Sequence, residues 1–118
     1  MKYLLGLLLC VFGLNARAID LTQDPLMWTT EALLLADYAQ TRQGMERPDK
    51  YHELNPMLGA HPSTDKVNAY FATWAASVYF SDKLFQDKRN RTLFLIAVSS
   101  VEATVIAHNL RLGLQVRF

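Results

Sequence analysis

Three helical stretches dominate the chain and leave little room for any other architecture. The first opens at Asp24-Pro25, where aspartate suits the N-cap and proline the first helical position, and it ends at about Gln43-Gly44. The second follows the capping hydroxyls of Ser63-Thr64 and continues over residues 67–85, and the third covers residues 92–109. The sequence therefore predicts an all-α fold, a small three-helix bundle forming one domain over residues 19–118.

Residues 1–18 have the pattern of a secretory signal. Lys2 precedes an apolar run that ends at Leu14, and the following Asn15-Ala16-Arg17-Ala18 provides a small-residue exit of the A-x-A type. The run is too short to cross a ~30 Å hydrocarbon core as a stable helix, which favours a cleaved signal over an anchor. Arg17 is atypical beside a cleavage point, so an uncleaved anchor is the alternative. The segment predicts an exported protein of the cell envelope, in the inner membrane or the periplasm.

The composition of the chain limits the kinds of partner it can bind and the kinds of chemistry it can perform. Apolar residues make up 51% of the chain and charged residues 19%, a balance that suits a protein in contact with a membrane. Loss of Lys2 and Arg17 with the signal would leave ten basic residues against eleven acidic ones, which argues against a nucleic-acid partner. The same cut would remove Cys10, the only cysteine, and with it any thiol chemistry.

Residues 67–85 and 92–109 are candidates for short transmembrane helices. Each contributes only ~15 mostly apolar residues, fewer than the ~20 that usually cross a membrane, so a buried hairpin in a soluble periplasmic bundle is the alternative. The four basic residues between Lys83 and Arg91 would place that turn in the cytoplasm if the pair spans. We therefore expect two short spans, with the first helix outside or lying on the membrane surface.

A long connection and a short tail complete the mature chain. About 20 residues, rich in proline and glycine, separate Arg42 from Ser63, and we expect a long ordered loop between the first two mature helices. The tail from Arg111 to Phe118 alternates polar and apolar residues with the period of a half-buried strand. We expect it to pack as an extended segment against the helices.

An up, down and up arrangement of the three helices would bring the long loop and three helix ends together. Asp37 and Glu102 would then face each other at a similar depth, roughly 7 to 9 Å from their helix ends. The predicted polar cluster comprises Asp37, Gln40, Thr41, Arg42, Glu53, Asn55, His61, Glu102 and Asn109.

Two interpretations of this cluster remain open. A carboxylate within an apolar helix needs a partner, so Glu102 could pair with Arg42 or accept hydrogen bonds from the loop and simply stabilise the fold. Alternatively, Asp37, Glu53, His61 and Glu102 form a membrane-embedded metal or proton site. The spacing contains no H-E-x-x-H, Glu-x-x-His, G-x-S-x-G or phosphate-loop motif. The leading hypothesis is accordingly a non-enzymatic structural or partner-binding protein, with no catalytic residue and no cofactor assigned, associated with the membrane and with an envelope protein as the possible partner.

Three motifs carry a resemblance to other proteins. Asp37-x-x-Gln40-Thr41 is followed by Glu53-x-Asn55-Pro-x-Leu58-Gly59 and by His61-Pro-Ser63. Over about residues 30 to 110 the chain resembles an uncharacterised group of short predicted membrane proteins from proteobacteria and their phages, which combines these D-x-x-Q-T, E-x-N-P-x-L-G and H-P-S elements. The resemblance implies a small helical membrane protein and brings no activity with it.

Overall fold

The computed structural model describes residues 23–116, and over this range the chain is all-helical. Its helices are α1 (Pro25–Met45), α2 (Thr64–Tyr79), the single turn α3 (Ser81–Leu84) and α4 (Lys88–Arg111). The predicted all-α class is confirmed for these residues, with four helices in place of three. The predicted signal at residues 1–18 and the last two residues of the tail lie outside the described range.

The second helix begins at its predicted cap, whereas the third begins earlier than expected because a side chain caps it upstream. Ser63 accepts a hydrogen bond from the backbone N–H of Lys66 at 3.2 Å, so α2 starts before residue 67. Asp87 accepts one from the backbone N–H of Arg89 at 2.8 Å, so α4 starts before residue 92. The basic residues that the sequence analysis assigned to a turn therefore include the first turn of α4.

The predicted helix over residues 67–85 is interrupted near its end. Phe80 departs from α-helical geometry, with φ −93° and ψ 16°, and α2 stops at Tyr79. The next residue, Ser81, is buried and accepts a hydrogen bond from Arg91 Nε at 2.9 Å. This contact fixes the short helix α3 where the chain turns back into α4.

Asp24 occupies the N-cap position of α1, but its side chain does not have the capping role predicted for it. Its backbone is left-handed, with φ 60° and ψ 56°, and its side chain makes no capping hydrogen bond. The carboxylate instead forms an ion pair with Arg91, which joins the start of α1 to the start of α4. Near the other ends of the same helices, Asn109 Nδ2 donates to Gln40 Oε1 at 3.1 Å. α1 and α4 therefore run parallel.

α2 runs antiparallel to α1. The Tyr38 ring, late in α1, meets that of Phe71, early in α2, with centroids 5.5 Å apart. Trp28, early in α1, meets Tyr79, at the end of α2, at 6.3 Å. The end of α1, the start of α2 and the end of α4 consequently gather with the loop of residues 46–63 at one end of the molecule, which we call the loop pole.

α1 is the central helix of the assembly. It contacts both other long helices, while α2 and α4 touch through the stacked rings of Trp74 and Phe94, whose centroids are 6.4 Å apart. The core accordingly lies along α1, where Tyr38 is fully buried with Val67 and Leu95. α1 is therefore packed against both other long helices and is not separate from them.

The loop and the tail hold each other in place. The Tyr51 hydroxyl donates a hydrogen bond to the carbonyl oxygen of Leu112 at 3.0 Å. In the tail, Leu114 is buried, and the backbone N–H of Gln115 donates to Gln43 Oε1 at 2.8 Å. The described part of the tail therefore packs against the loop pole, without forming a strand.

Candidate functional site

Polar side chains line the contact between α1 and α4. Midway along it, the hydroxyl groups of Thr30 and Ser99 share a hydrogen bond of 2.6 Å. At the loop pole, the Gln40 amide joins Asn109 at 3.1 Å and donates to the carbonyl oxygen of Ile106 at 3.4 Å. Because paired polar groups lose less on leaving water than single ones, this row can lie in an otherwise apolar contact.

Asp37 and Glu102 lie between these two pairs. Both are almost fully buried, at 8% and 7% exposure, and their carboxyl groups are within hydrogen-bonding reach of each other. Thr41 Oγ1 and Asn109 Nδ2 each approach Asp37 Oδ1 at 3.5 Å, the outer limit of a hydrogen bond. Neither approach is close enough to stabilise a buried negative charge strongly.

Glu102 is still less well satisfied than Asp37. Its Oε2 is buried and has no hydrogen-bond partner among the described residues. Two ionised carboxylates have only acceptors, so they cannot hydrogen-bond each other without a proton or a cation between them. The arrangement is therefore incomplete as a purely ionised pair.

α2 and the loop contribute a second set of polar contacts. The Tyr38 hydroxyl donates to Asn68 Oδ1 at 2.7 Å, which links α1 to α2. Asn55 Nδ2 donates to the Tyr70 hydroxyl at 2.8 Å, and the backbone N–H of Asn55 donates to Glu53 Oε1 at 2.9 Å. Asn55 thus connects the loop to α2.

These groups surround a cavity of about 710 Å³ that opens at the loop pole. α1 and α4 form one side, with Asp37 and Glu102 among the lining residues, and the loop covers the other. Apolar and aromatic side chains make up much of the wall, among them Leu54, Leu58, Tyr70, Phe71, Val101 and Val105. The volume lies within the range of ordinary small-molecule sites.

The charge that lines the cavity is unbalanced. Three carboxyl groups and three imidazoles face it, from Asp37, Glu53, Glu102, His52, His61 and His108. No lysine or arginine is among the described lining residues. The cavity therefore offers carboxyl groups and other hydrogen-bond acceptors, with no lysine or arginine from the described residues to pair with them.

The structure brings most of the predicted polar cluster together around this cavity. Those that line it are Asp37, Gln40, Thr41, Glu53, Asn55, His61, Glu102 and Asn109. Arg42 does not line it, because it lies five residues beyond Asp37 and hence about 140° further around α1. Its guanidinium makes no ion pair with Glu102 and leaves Nη1 buried without a partner among the described residues, so the expected Arg42–Glu102 pair is absent.

The four candidate metal ligands do not assemble into a metal site. Within residues 23–116, no three His, Cys, Asp or Glu side chains lie close enough to share an ion. Asp37 and Glu102 meet, but Glu53 is engaged by the backbone of Asn55 and His61 is exposed on the loop. The arrangement can bind a proton or an N–H donor between two carboxyl groups.

Sequence reasoning missed the apolar side of the site. Val101 and Val105 flank Glu102 on α4, and Tyr70 reaches the cavity from α2. The sequence spacing could have revealed Val105, since it lies three residues after Glu102 and hence on nearly the same helix face. The loop residue Leu58, 3% exposed, gave no such signal, because its position depends on the loop conformation.

No protein-family model, no curated protein and no solved structure matches this chain.

Proposed function

We propose that this protein is a small integral membrane protein of the cell envelope, whose three long helices cross the bilayer as a bundle and whose cavity at the loop pole binds a ligand without turning it over. The observation that carries the proposal is an inverted distribution of polarity. Buried carboxyl groups lie inside the helix assembly, while its outer surface is free of charge between the two ends.

α4 gives the strongest support. It is the one described helix whose length and composition suit a membrane span, and only 17% of its most apolar stretch is buried. Large apolar side chains face outward along it, including Leu93 at 54% and Ile96 at 47% exposure. A core helix of a soluble protein would bury such residues, whereas a lipid-facing helix exposes them.

The outer faces of α1 and α2, like that of α4, have no exposed charge along their middle parts. Between residues 25 and 41 the only ionisable acids are Glu31 and Asp37, and both are buried. Residues 67–81 contain no charged side chain, and in residues 92–107 only Glu102 is charged and it is buried. Over these stretches all three helices thus present a surface without exposed charge.

Outward-facing hydroxyl groups are satisfied within their own helices. Thr29, Thr73 and Thr104 each donate to the backbone carbonyl four residues earlier, at 2.7 to 2.8 Å. Such bonds let a hydroxyl face hydrocarbon without leaving its proton unpaired.

The dimensions are compatible with a thin bilayer. The uncharged stretches, about 15 to 17 residues long, correspond to roughly 22 to 26 Å of helix, somewhat less than the ~30 Å hydrocarbon core. Lysine and arginine side chains beyond both ends can extend to the interface, and a short span can thin the bilayer locally. The described chain is 43 Å long, close to the ~40–45 Å thickness of a bilayer with its headgroups.

Because α1 is packed between α2 and α4, we propose that all three cross together. A cleaved signal at residues 1–18 would deliver the start of α1 to the outside, so the loop pole would face the cytoplasm. Basic residues favour this side slightly: Arg42, Arg47, Lys50, Lys66 and Arg111 lie at the loop pole, against Lys83, Lys88, Arg89 and Arg91 at the other end. The resemblance to short membrane proteins agrees with this proposal.

Single-cysteine labelling tests the membrane crossing. In a Cys10→Ser background, Asp49→Cys places a thiol at the loop pole and Gln86→Cys places one at the opposite end, both at exposed positions. In spheroplasts we expect a membrane-impermeant maleimide to label the Gln86→Cys protein directly and the Asp49→Cys protein only after permeabilisation. Equal labelling of both from one side would reject the crossing.

A third position separates a membrane protein from a soluble one. Ile96 lies midway along α4 and is 47% exposed, so in water a cysteine there would react readily. We expect Ile96→Cys to be unreactive in the membrane and to become reactive after denaturation. Rapid labelling in the native state would instead support a soluble helical protein.

A further inference from the structure

The cavity contains a feature that protein stability alone does not account for. Glu102 is only 7% exposed, lies deep within an apolar helix, and keeps Oε2 without a hydrogen-bond partner among the described residues. Even when a proton shared with Asp37 removes its charge, a buried carboxyl oxygen without a hydrogen-bond partner is unfavourable. A ligand that supplies a donor to this oxygen would remove the penalty.

The chemistry of the donor follows from the surrounding groups. Asp37 presents a second carboxyl group beside Glu102, and the Tyr70 hydroxyl lies in the same wall. These groups can all accept hydrogen bonds, and the cavity has no lysine or arginine of its own among the described lining residues. An ammonium group, with three N–H donors and one positive charge, matches two carboxyl groups and a hydroxyl.

The remaining wall defines the rest of the ligand. Phe71, Val105 and Leu58 surround the acidic groups with apolar surface. An aromatic ring beside a cation also contributes an attractive interaction with its π face. The volume of about 710 Å³ accommodates an organic molecule and is much larger than a bare ion needs.

We infer that the cavity at the loop pole binds a primary ammonium group carried on an apolar body, with Glu102 and Asp37 as its acceptors. The inference rests on the binding role proposed above and specifies the ligand class. Such a group can come from a free amine or from the headgroup of an ethanolamine lipid, since both present a primary ammonium next to apolar carbon.

Binding is tested with phenethylamine and its neutral isostere 2-phenylethanol, on the full-length protein in nanodiscs of phosphatidylcholine, whose quaternary headgroup has no N–H donor. We expect saturable binding of phenethylamine by calorimetry and little binding of the alcohol. Glu102→Gln should weaken amine binding about tenfold or more, as expected for a charge-assisted hydrogen bond. Asp37→Asn should weaken it in the same direction.

Glu31→Gln is the matched control, because Glu31 is also a buried acid on a membrane-facing helix but does not line the cavity. It should bind phenethylamine as the native protein does. Circular dichroism of each variant separates lost binding from lost structure. Equal binding of amine and alcohol, or unchanged binding by a folded Glu102→Gln protein, would overturn the inference.

Nanodiscs that contain phosphatidylethanolamine distinguish the two sources of the amine. If the lipid headgroup occupies the cavity, it should compete with phenethylamine and raise its apparent Kd, in the native protein and not in Glu102→Gln. Absence of competition with retained amine binding assigns the site to a free amine. These measurements do not depend on sidedness, so the binding inference and the membrane crossing can fail separately.

Discussion

Leu95 and Ile96 are consecutive residues on α4 with opposite surroundings: Leu95 is 1% exposed against α1, and Ile96 is 47% exposed on the outer face. Substitutions at these two positions therefore report separately on the packing between the helices and on the outer surface of α4.

Replacing Leu95 by alanine should destabilise the fold by about 2 to 5 kcal/mol, because it leaves a cavity in the core. Ile96→Ala removes apolar atoms from a surface that contacts detergent or lipid, and should change stability by about 0.5 kcal/mol or less. Unfolding by SDS in mixed micelles measures both variants. Equal losses would indicate that the outer face of α4 is packed against protein.

The hydroxyl pair between Thr30 and Ser99 should hold α1 and α4 in register. The substitution Thr30→Val keeps the shape and removes the hydroxyl group, so we expect a loss of about 0.6 to 2 kcal/mol in the same unfolding assay. Thr29→Val is the matched control, because the Thr29 hydroxyl bonds only its own helix and faces outward. In a double-mutant cycle with Ser99→Ala the losses should be less than additive, and full additivity would refute the pair.

Asp37 and Glu102 should share a proton when no ligand is bound. Infrared spectroscopy is best done in a Glu31→Gln background, which removes the other buried acid among the described residues. The spectrum should then contain a carbonyl band of a protonated carboxylic acid, sensitive to deuteration, which weakens when Asp37→Asn or Glu102→Gln is added. Glu53→Gln should leave the band unchanged, since the Glu53 carboxylate accepts a backbone N–H and is on the loop. A band that persists in both pair variants would show that the two carboxyl groups titrate independently.

The features of this structure that can be predicted from the sequence are those that depend on residues close together in the chain or on regular helix geometry. Pro25 and Ser63 signal helix starts because their roles require only a few neighbouring residues, and both occupy the expected positions. The meeting of Asp37 with Glu102 follows from helix order and the 1.5 Å rise, since parallel helices of similar length bring residues at similar depth together.

The features that the sequence did not reveal depend on contacts between residues far apart in the chain. Asp24 looks like an N-cap in sequence, but its ion pair with Arg91, 67 residues away, holds its side chain elsewhere. The same arginine bonds Ser81, at the interruption that a continuous apolar pattern did not reveal. Arg42 was grouped with Glu102 because both lie near one pole, although its position around α1 turns it away.

The tail should close the loop pole through Leu114. This side chain is 6% exposed and packs against α1 at Gly44, where a Cβ would stand 3.6 Å from its Cδ1, an ordinary contact distance. Leu114→Ala should release the tail and speed tryptic cleavage after Arg111, which the native protein should resist because the Tyr51 hydroxyl holds the carbonyl of Leu112. Val116→Ala, an exposed position in the same tail, should leave cleavage at the native rate. Equal rates for native protein and Leu114→Ala would mean that the hydrogen bonds to Tyr51 and Gln43, and not the Leu114 side chain, hold the tail.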